Sequence, residues 1–256
     1  MSYRFFSILA AAALAASLAV AQHPDLSGIW AYAVDQPAGG IKQTLGNQVV
    51  VAIADRSGRL AAREEVPGAL PYQQGPKYKP EHQAKVKELD AKQSRTDGVF
   101  YCGRPGVPRL GPPRKIVQMP DEMLFLYEDM SGDTWRIVPT NGRQHDPDLD
   151  PSFNGDAIGR WEGGKLVVES VNFVEDTWFG ELGYFHSGQM KVIERLWLHD
   201  GKMAYQVTVE DPAVLAEPWT MAPRLIERSD SRLQESPVCV DFDGPRLLND
   251  DHHGQR

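Results

Sequence analysis

The chain has 256 residues, of which 41% are hydrophobic and 24% charged, an ordinary balance for a globular protein with a full core. Its net charge of −8, with no run of basic residues, argues against nucleic acid or an anionic membrane surface as a partner.

Residues 1 to 21 carry Arg4 and then an apolar run that ends in Ala19-Val20-Ala21. That is the pattern of a secretory signal peptide with a small-x-small cleavage site, not of a membrane anchor. A periplasmic or secreted protein is expected, without membrane insertion. In that oxidising setting Cys102 and Cys239 are expected to join as one disulfide. The mature chain, residues 22 to 256, is expected to form a single domain, with residues 245 to 256 as a disordered tail.

After the signal, residues 25 to 34 ("DLSGIWAYAV") and 47 to 55 ("NQVVVAIAD") have the β-branched and aromatic content of strands. Residues 64 to 80 contain Pro67, Pro71, Pro76 and Pro80 and are expected as loop. One surface helix is expected over residues 80 to 95, with Pro80 suited to its first turn. A Pro- and Gly-rich stretch follows at residues 101 to 115.

From there the chain reads as successive hairpins, turning at Ser131-Gly132, Gly163-Gly164 and Asp200-Gly201. Short strands with almost no helix predict an all-β fold, here an antiparallel lipocalin- or calycin-like β-barrel with one short surface helix. Two long loops, residues 139 to 154 and 174 to 188, interrupt the meander and are natural places for a site.

Counting outward from Asp200-Gly201 pairs Leu198 with Met203, Leu196 with Tyr205, Glu194 with Val207 and Val192 with Val209. Side chains alternate, so these residues share one face, and Glu194 is its only charge. A lone carboxylate there must be paired or must meet water in a cavity. It is either a general acid or base, or a structural acceptor for a buried Tyr, Trp or Arg. The Gly163-Gly164 hairpin places Ala157, Gly159, Trp161, Leu166, Val168, Ser170 and Asn172 together, with small residues that would make room for a cavity. The Ser131-Gly132 hairpin sets Leu124, Leu126, Glu128, Trp135 and Ile137 on one face and Phe125, Tyr127, Arg136 and Val138 on the other. Both faces are mixed, and Glu128 is a second candidate for an inward carboxylate.

The long loops contribute His145, Asp146, Asp148, Asp150, Glu175, Asp176, Trp178 and His186. The expected catalytic set is Glu194 with His186 or His145 as second proton-transfer group, and Tyr205, Asn172, Trp178 and Glu128 are the ligand-binding candidates. No G-x-S-x-G elbow, P-loop or Gly-rich nucleotide loop occurs, so no organic cofactor is expected. No metal site is assigned either, since close spacing such as H-E-x-x-H is absent and residues 146 to 150 lack the Gly and Glu of a calcium loop. The first expectation is an exported, cofactor-independent lyase, isomerase or hydrolase acting on a small apolar or aromatic molecule in a barrel cavity. The alternatives are a lipocalin-like carrier of small apolar ligands and a metal-dependent enzyme using the loop His and Asp residues.

Gly28-Ile29-Trp30 resembles the G-x-W that opens lipocalins, whose Trp closes the barrel floor. The resemblance implies an arginine packed on Trp30 from the last strand, with Arg195, Arg224 and Arg228 as candidates. A wider resemblance runs through "PDLSGIW", "CGRPGVPR", "NGRQHDPD", "GDAIGRWEGGKLVVESVNF", "HSGQMKVIERL", "YQVTVEDP" and "PWT". These segments look like a large uncharacterised group of exported bacterial proteins. Asn141 and Asp146 stand where that group usually has Asp and Pro in a D-G-R-x-H-P loop. The resemblance implies export and the extent of the domain, and no reaction.

Overall fold

A computed structural model describes residues 23–31, 50–54, 60–129, 132–236 and 239, so the expected signal peptide and C-terminal tail lie outside the described residues. The strands are β1 (Gly28–Ile29), β2 (Val50–Ala54), β3 (Leu60–Glu65), β4 (Lys115–Gln118), β5 (Glu122–Tyr127) and β6 (Thr134–Pro139). They continue with β7 (Asp156–Glu162), β8 (Lys165–Val171), β9 (Lys191–His199), β10 (Lys202–Glu210), β11 (Trp219–Thr220) and β12 (Arg224–Ile226).

All pairings between these strands are antiparallel. One sheet runs β1-β4-β5-β6, a second runs β11-β10-β9-β8-β7 with β12 also on β10, and β2 and β3 form a separate hairpin. The register of β9 on β10 is the one counted from the turn, with Leu196 opposite Tyr205 and Glu194 opposite Val207. Asp200 and Gly201 both have positive φ, 48° and 77°, as a two-residue hairpin turn with the twist of its strands requires. β3 escapes a reading by pattern because "LAAREE" is half charged and shows no alternation.

The two sheets face one core that holds Trp30, Phe125, Leu166, Leu196 and Met203, each fully buried. They meet at two seams. At the first, Ala31 N–H donates to Glu227 O at 2.8 Å and Ser229 N–H to Ile29 O at 2.9 Å, so the chain after β12 lies against β1. At the second, a Cβ on Gly159 of β7 would come within 3.0 Å of the Val138 and Thr140 side chains. The small residue therefore admits the edge of β6, and the room expected there for a cavity is filled. Among the described residues the hydrogen-bonded ladders form separate sheets and no closed barrel.

Trp30 anchors the first seam. Its indole N–H donates to Leu26 O at 3.1 Å, and the Arg228 guanidinium lies 4.5 Å from its ring centroid. Of the three candidate arginines, Arg228 is the one on the tryptophan. The expected surface helix is broken into a 3-10 turn (Pro80–His82), α1 (Gln83–Ala91) and α2 (Gln93–Thr96), none with a buried residue. Cys102 and Cys239 form a disulfide across 137 residues of chain. No helix among the described residues is long and apolar enough to cross a membrane.

Candidate functional site

The alternation of β6 decides the chemistry of the interior. Trp135 and Ile137 point to solvent, 62% and 45% exposed, so Arg136 and Val138 must point into the core. Glu194 does the same on β9 between the inward residues Val192 and Leu196, and its exposure is 0%. The two charges meet, with Arg136 Nη2 donating to Glu194 Oε2 at 2.6 Å. Tyr205 Oη donates to the other carboxylate oxygen at 3.0 Å. Arg136 also reaches Tyr127 Oη at 3.2 Å and Ser170 Oγ at 3.3 Å. Five inward side chains from β5, β6, β8, β9 and β10 thus form one buried polar cluster.

Its electrostatics are self-consistent. Burial, the largest single influence, would favour a neutral Arg136, but Glu194 together with Tyr127 and Tyr205 outweighs it and holds the guanidinium protonated beyond its ordinary range. Burial, reinforced by the Glu194 charge, pushes the Tyr205 phenol well above its usual range, so it stays a neutral donor. Tyr127 is raised as well, mainly by burial and against the pull of Arg136. Both Glu194 side-chain oxygens are thus occupied, one by Arg136 and one by Tyr205. Proton exchange with a substrate would require the pair to open.

The two histidines stand elsewhere. His145 Nδ1 lies 2.9 Å from Asp156 Oδ2, and its Nε2 lies 3.4 Å from Glu169 Oε1, a distance without hydrogen-bond geometry. Glu169 alternates with the inward Val168 and Ser170, which places His145 on the opposite side of the sheet from Glu194. Asp156 also takes a charged hydrogen bond from Arg143 and one from Asp146 N–H at 3.0 Å. Burial opposes ionisation of Asp156, yet Arg143 and His145 prevail and hold its carboxyl below the usual range. The group fastens the loop between β6 and β7.

His186 is buried, with Nε2 2.8 Å from Thr177 Oγ1 and Nδ1 2.9 Å from Ser187 O. Burial pushes its pKa down against the influence of Ser187 O, Asp211, Glu175 and Asp176. Nδ1–H donating to the carbonyl leaves Nε2 to accept from Thr177. Ser187 Oγ donates to Asp211 Oδ1 at 2.8 Å and not to the imidazole, so no nucleophile–base pair forms.

Of the ligand-binding candidates, Tyr205 alone hydrogen-bonds to Glu194. Asn172 has φ 63° and donates to Leu149 O at 2.6 Å, an anchor for the same loop that His145 fastens. Trp178 is buried in the core and bridges to Phe185. Glu128 accepts from Arg114 Nε at 2.8 Å and from Gln234 N–H at 2.6 Å. It borders a half-open cleft of about 320 Å³ between the end of the β5–β6 hairpin and residues 233–235, with Leu126, Trp135 and Leu233 as apolar walls. Among the described residues, no group of three His, Cys, Asp or Glu side chains stands where one metal ion could be shared.

Arg136 is the residue that sequence reasoning passed over. The signal was present, since alternation had set it beside Phe125, Tyr127 and Val138. An arginine on that face is the natural partner for an inward glutamate.

No family model matches this chain, and no curated protein matches it. Among solved structures, the "REP1-NXSQ fatty acid transporter" is similar over 46% of this chain and 70% of that one, with 14% identity and a TM-score of 0.29. A likeness at that level carries no argument about fold or ligand.

Proposed function

We propose that this protein is an exported, lipocalin-like binding protein for small apolar or aromatic molecules, and that Glu194 braces its core. The observation that carries the reading is the cleft beside Trp135. A large indole, 62% exposed, borders a concavity of about 320 Å³ with Leu126 and Leu233 as further apolar walls. Small-molecule sites have this character, and their volumes begin at about 300 Å³. The opposite treatment of Glu194 supports the same reading, since a fully enclosed and doubly bonded carboxylate offers a substrate nothing.

The lipocalin-like part rests on the Trp30–Arg228 contact and on the two seams, which bring the sheets toward a barrel. Export to the periplasm or beyond rests on the signal pattern, with which the disulfide agrees. The likeness to uncharacterised exported proteins points the same way.

The test is a thermal-shift screen of aryl and terpenoid compounds against the mature protein and Trp135→Ala. Stabilisation of the parent that the variant loses supports binding at the cleft; no stabilisation by any compound sinks the proposal. Acid/base catalysis by Glu194 is a separate proposal with its own measurement. If Glu194→Gln abolished turnover of a compound that it still bound, the enzyme reading would replace this one. Stoichiometric metal in the purified protein would instead favour the metal-dependent enzyme.

A further inference from the structure

The cleft beside Trp135 has a sign of charge as well as an aromatic wall. Three carboxylates, Glu128, Asp133 and Glu235, border it, and among the described residues no lysine, arginine or histidine does; Arg232, next along the chain, is not part of the lining. The three acids are not equivalent. Glu128 is neutralised by Arg114, which donates to it at 2.8 Å. Asp133 accepts from Ser236 N–H at 3.0 Å and from Ser236 Oγ–H at 2.6 Å, and both of these donors are uncharged. They fix the position of the carboxylate and leave its charge in place. Glu235 is exposed on the rim.

We propose that the ligand of this cleft is an organic cation, an ammonium group carried on an aryl or alkyl body. The proposal rests on the binding reading above and names its ligand class. The chemistry is complementary part by part. An exposed indole face attracts an ammonium through the ring quadrupole. Asp133 and Glu235, which have no cationic partner among the described residues, reinforce that attraction and repel anions. Leu126 and Leu233 supply apolar contact for the body of the ligand. The wall is also held in advance, because Gln234 N–H donates to Glu128 and Ser236 to Asp133, so little ordering is needed on binding. The chain's net charge of −8 draws cations and disfavours anions at longer range.

The experiment is calorimetric titration of the mature protein with benzyltrimethylammonium, benzyl alcohol and phenylacetate, repeated on Trp135→Ala and Asp133→Asn. Both substitutions are at exposed positions outside the core, and their folding is checked by thermal melts. The cation is expected to bind tightest, to weaken with added salt, and to lose roughly three- to tenfold in affinity in each variant. Phenylacetate binding as tightly as the cation, or an unchanged cation affinity in Asp133→Asn, would overturn the charge assignment. Loss in Trp135→Ala would then still support the binding reading. Cation affinity unmoved by Trp135→Ala overturns the location, and no binding by any of the three probes overturns both proposals.

Discussion

Arg136 on β6 and Glu194 on β9 meet at 2.6 Å across the core, 3% and 0% exposed, and they belong to different sheets. The pair is thus a clamp between layers and not a decoration of one. Taking two charges out of water is costly, and what offsets the cost is the set of further bonds from Tyr205, Tyr127 and Ser170, which leave Arg136 Nε as the one guanidinium nitrogen without a partner among the described residues.

Breaking one half should therefore be far worse than replacing both. Arg136→Met leaves Glu194 buried and unpaired, and it should cost about 3–5 kcal/mol. The double variant Arg136→Met with Glu194→Leu should regain most of that loss, because no orphan charge remains. Urea denaturation of the two single variants and the double variant measures the coupling directly. Strictly additive losses would show that the two residues act independently.

His186 sets an acid limit on stability. Its pKa is lowered in the fold from the ordinary 6.5, chiefly by burial. The unfolded chain consequently takes up a proton at a pH where the folded chain does not, and acidification favours unfolding. The effect begins as pH falls below the unfolded value and saturates below the folded one; above the unfolded value it vanishes. Melting temperatures recorded from about pH 7 to about pH 5 should fall more steeply for the parent than for His186→Gln. Parallel curves for the two would remove His186 as the cause.

Gly28 is held by two constraints at once. Its φ is 135°, and a Cβ there would lie 2.5 Å from Arg228 Nη1, the guanidinium stacked on Trp30. Gly28→Ala should cost about 1–3 kcal/mol from backbone conformation, and more if Arg228 is displaced. Arg228→Ala should cost only about 0.5–1 kcal/mol, the range for an exposed cation–π contact. Thermal unfolding of both variants decides the ranking, and a harmless Gly28→Ala would contradict the tight fit at this seam.

The Cys102–Cys239 bond closes 137 residues of chain and holds the segment that walls the cleft. Replacing both cysteines with serine should lower stability by about 2–5 kcal/mol. Parent protein treated with reductant should approach the same value in chemical denaturation. A variant as stable as the oxidised parent would mean the hydrogen bonds from Gln234 and Ser236 suffice to hold that segment.

Strand alternation and turn chemistry are local, and they were legible. Asp200-Gly201 dictates the pairing of β9 with β10, and that pairing places Glu194 on the buried face before any tertiary information is used. The same counting sorted Arg136 away from Trp135, and the sequence carried the disulfide partners and the Trp30 motif. What alternation could not say is which face of β5–β6 is inward, because both carry charges and aromatics. Only packing against the second sheet decides it: Phe125 and Val138 are buried completely, and Trp135 is left in solvent. That choice turns Glu194 from an available acid into half of a buried pair, and it moves the open concavity to the rim of the hairpin. It also gives Gly159 a neighbouring strand to admit instead of a cavity to create. The physical reason is range. Turns and alternation act over a few residues, whereas Arg136 and Glu194 are 58 positions apart and meet only when two sheets close on one core.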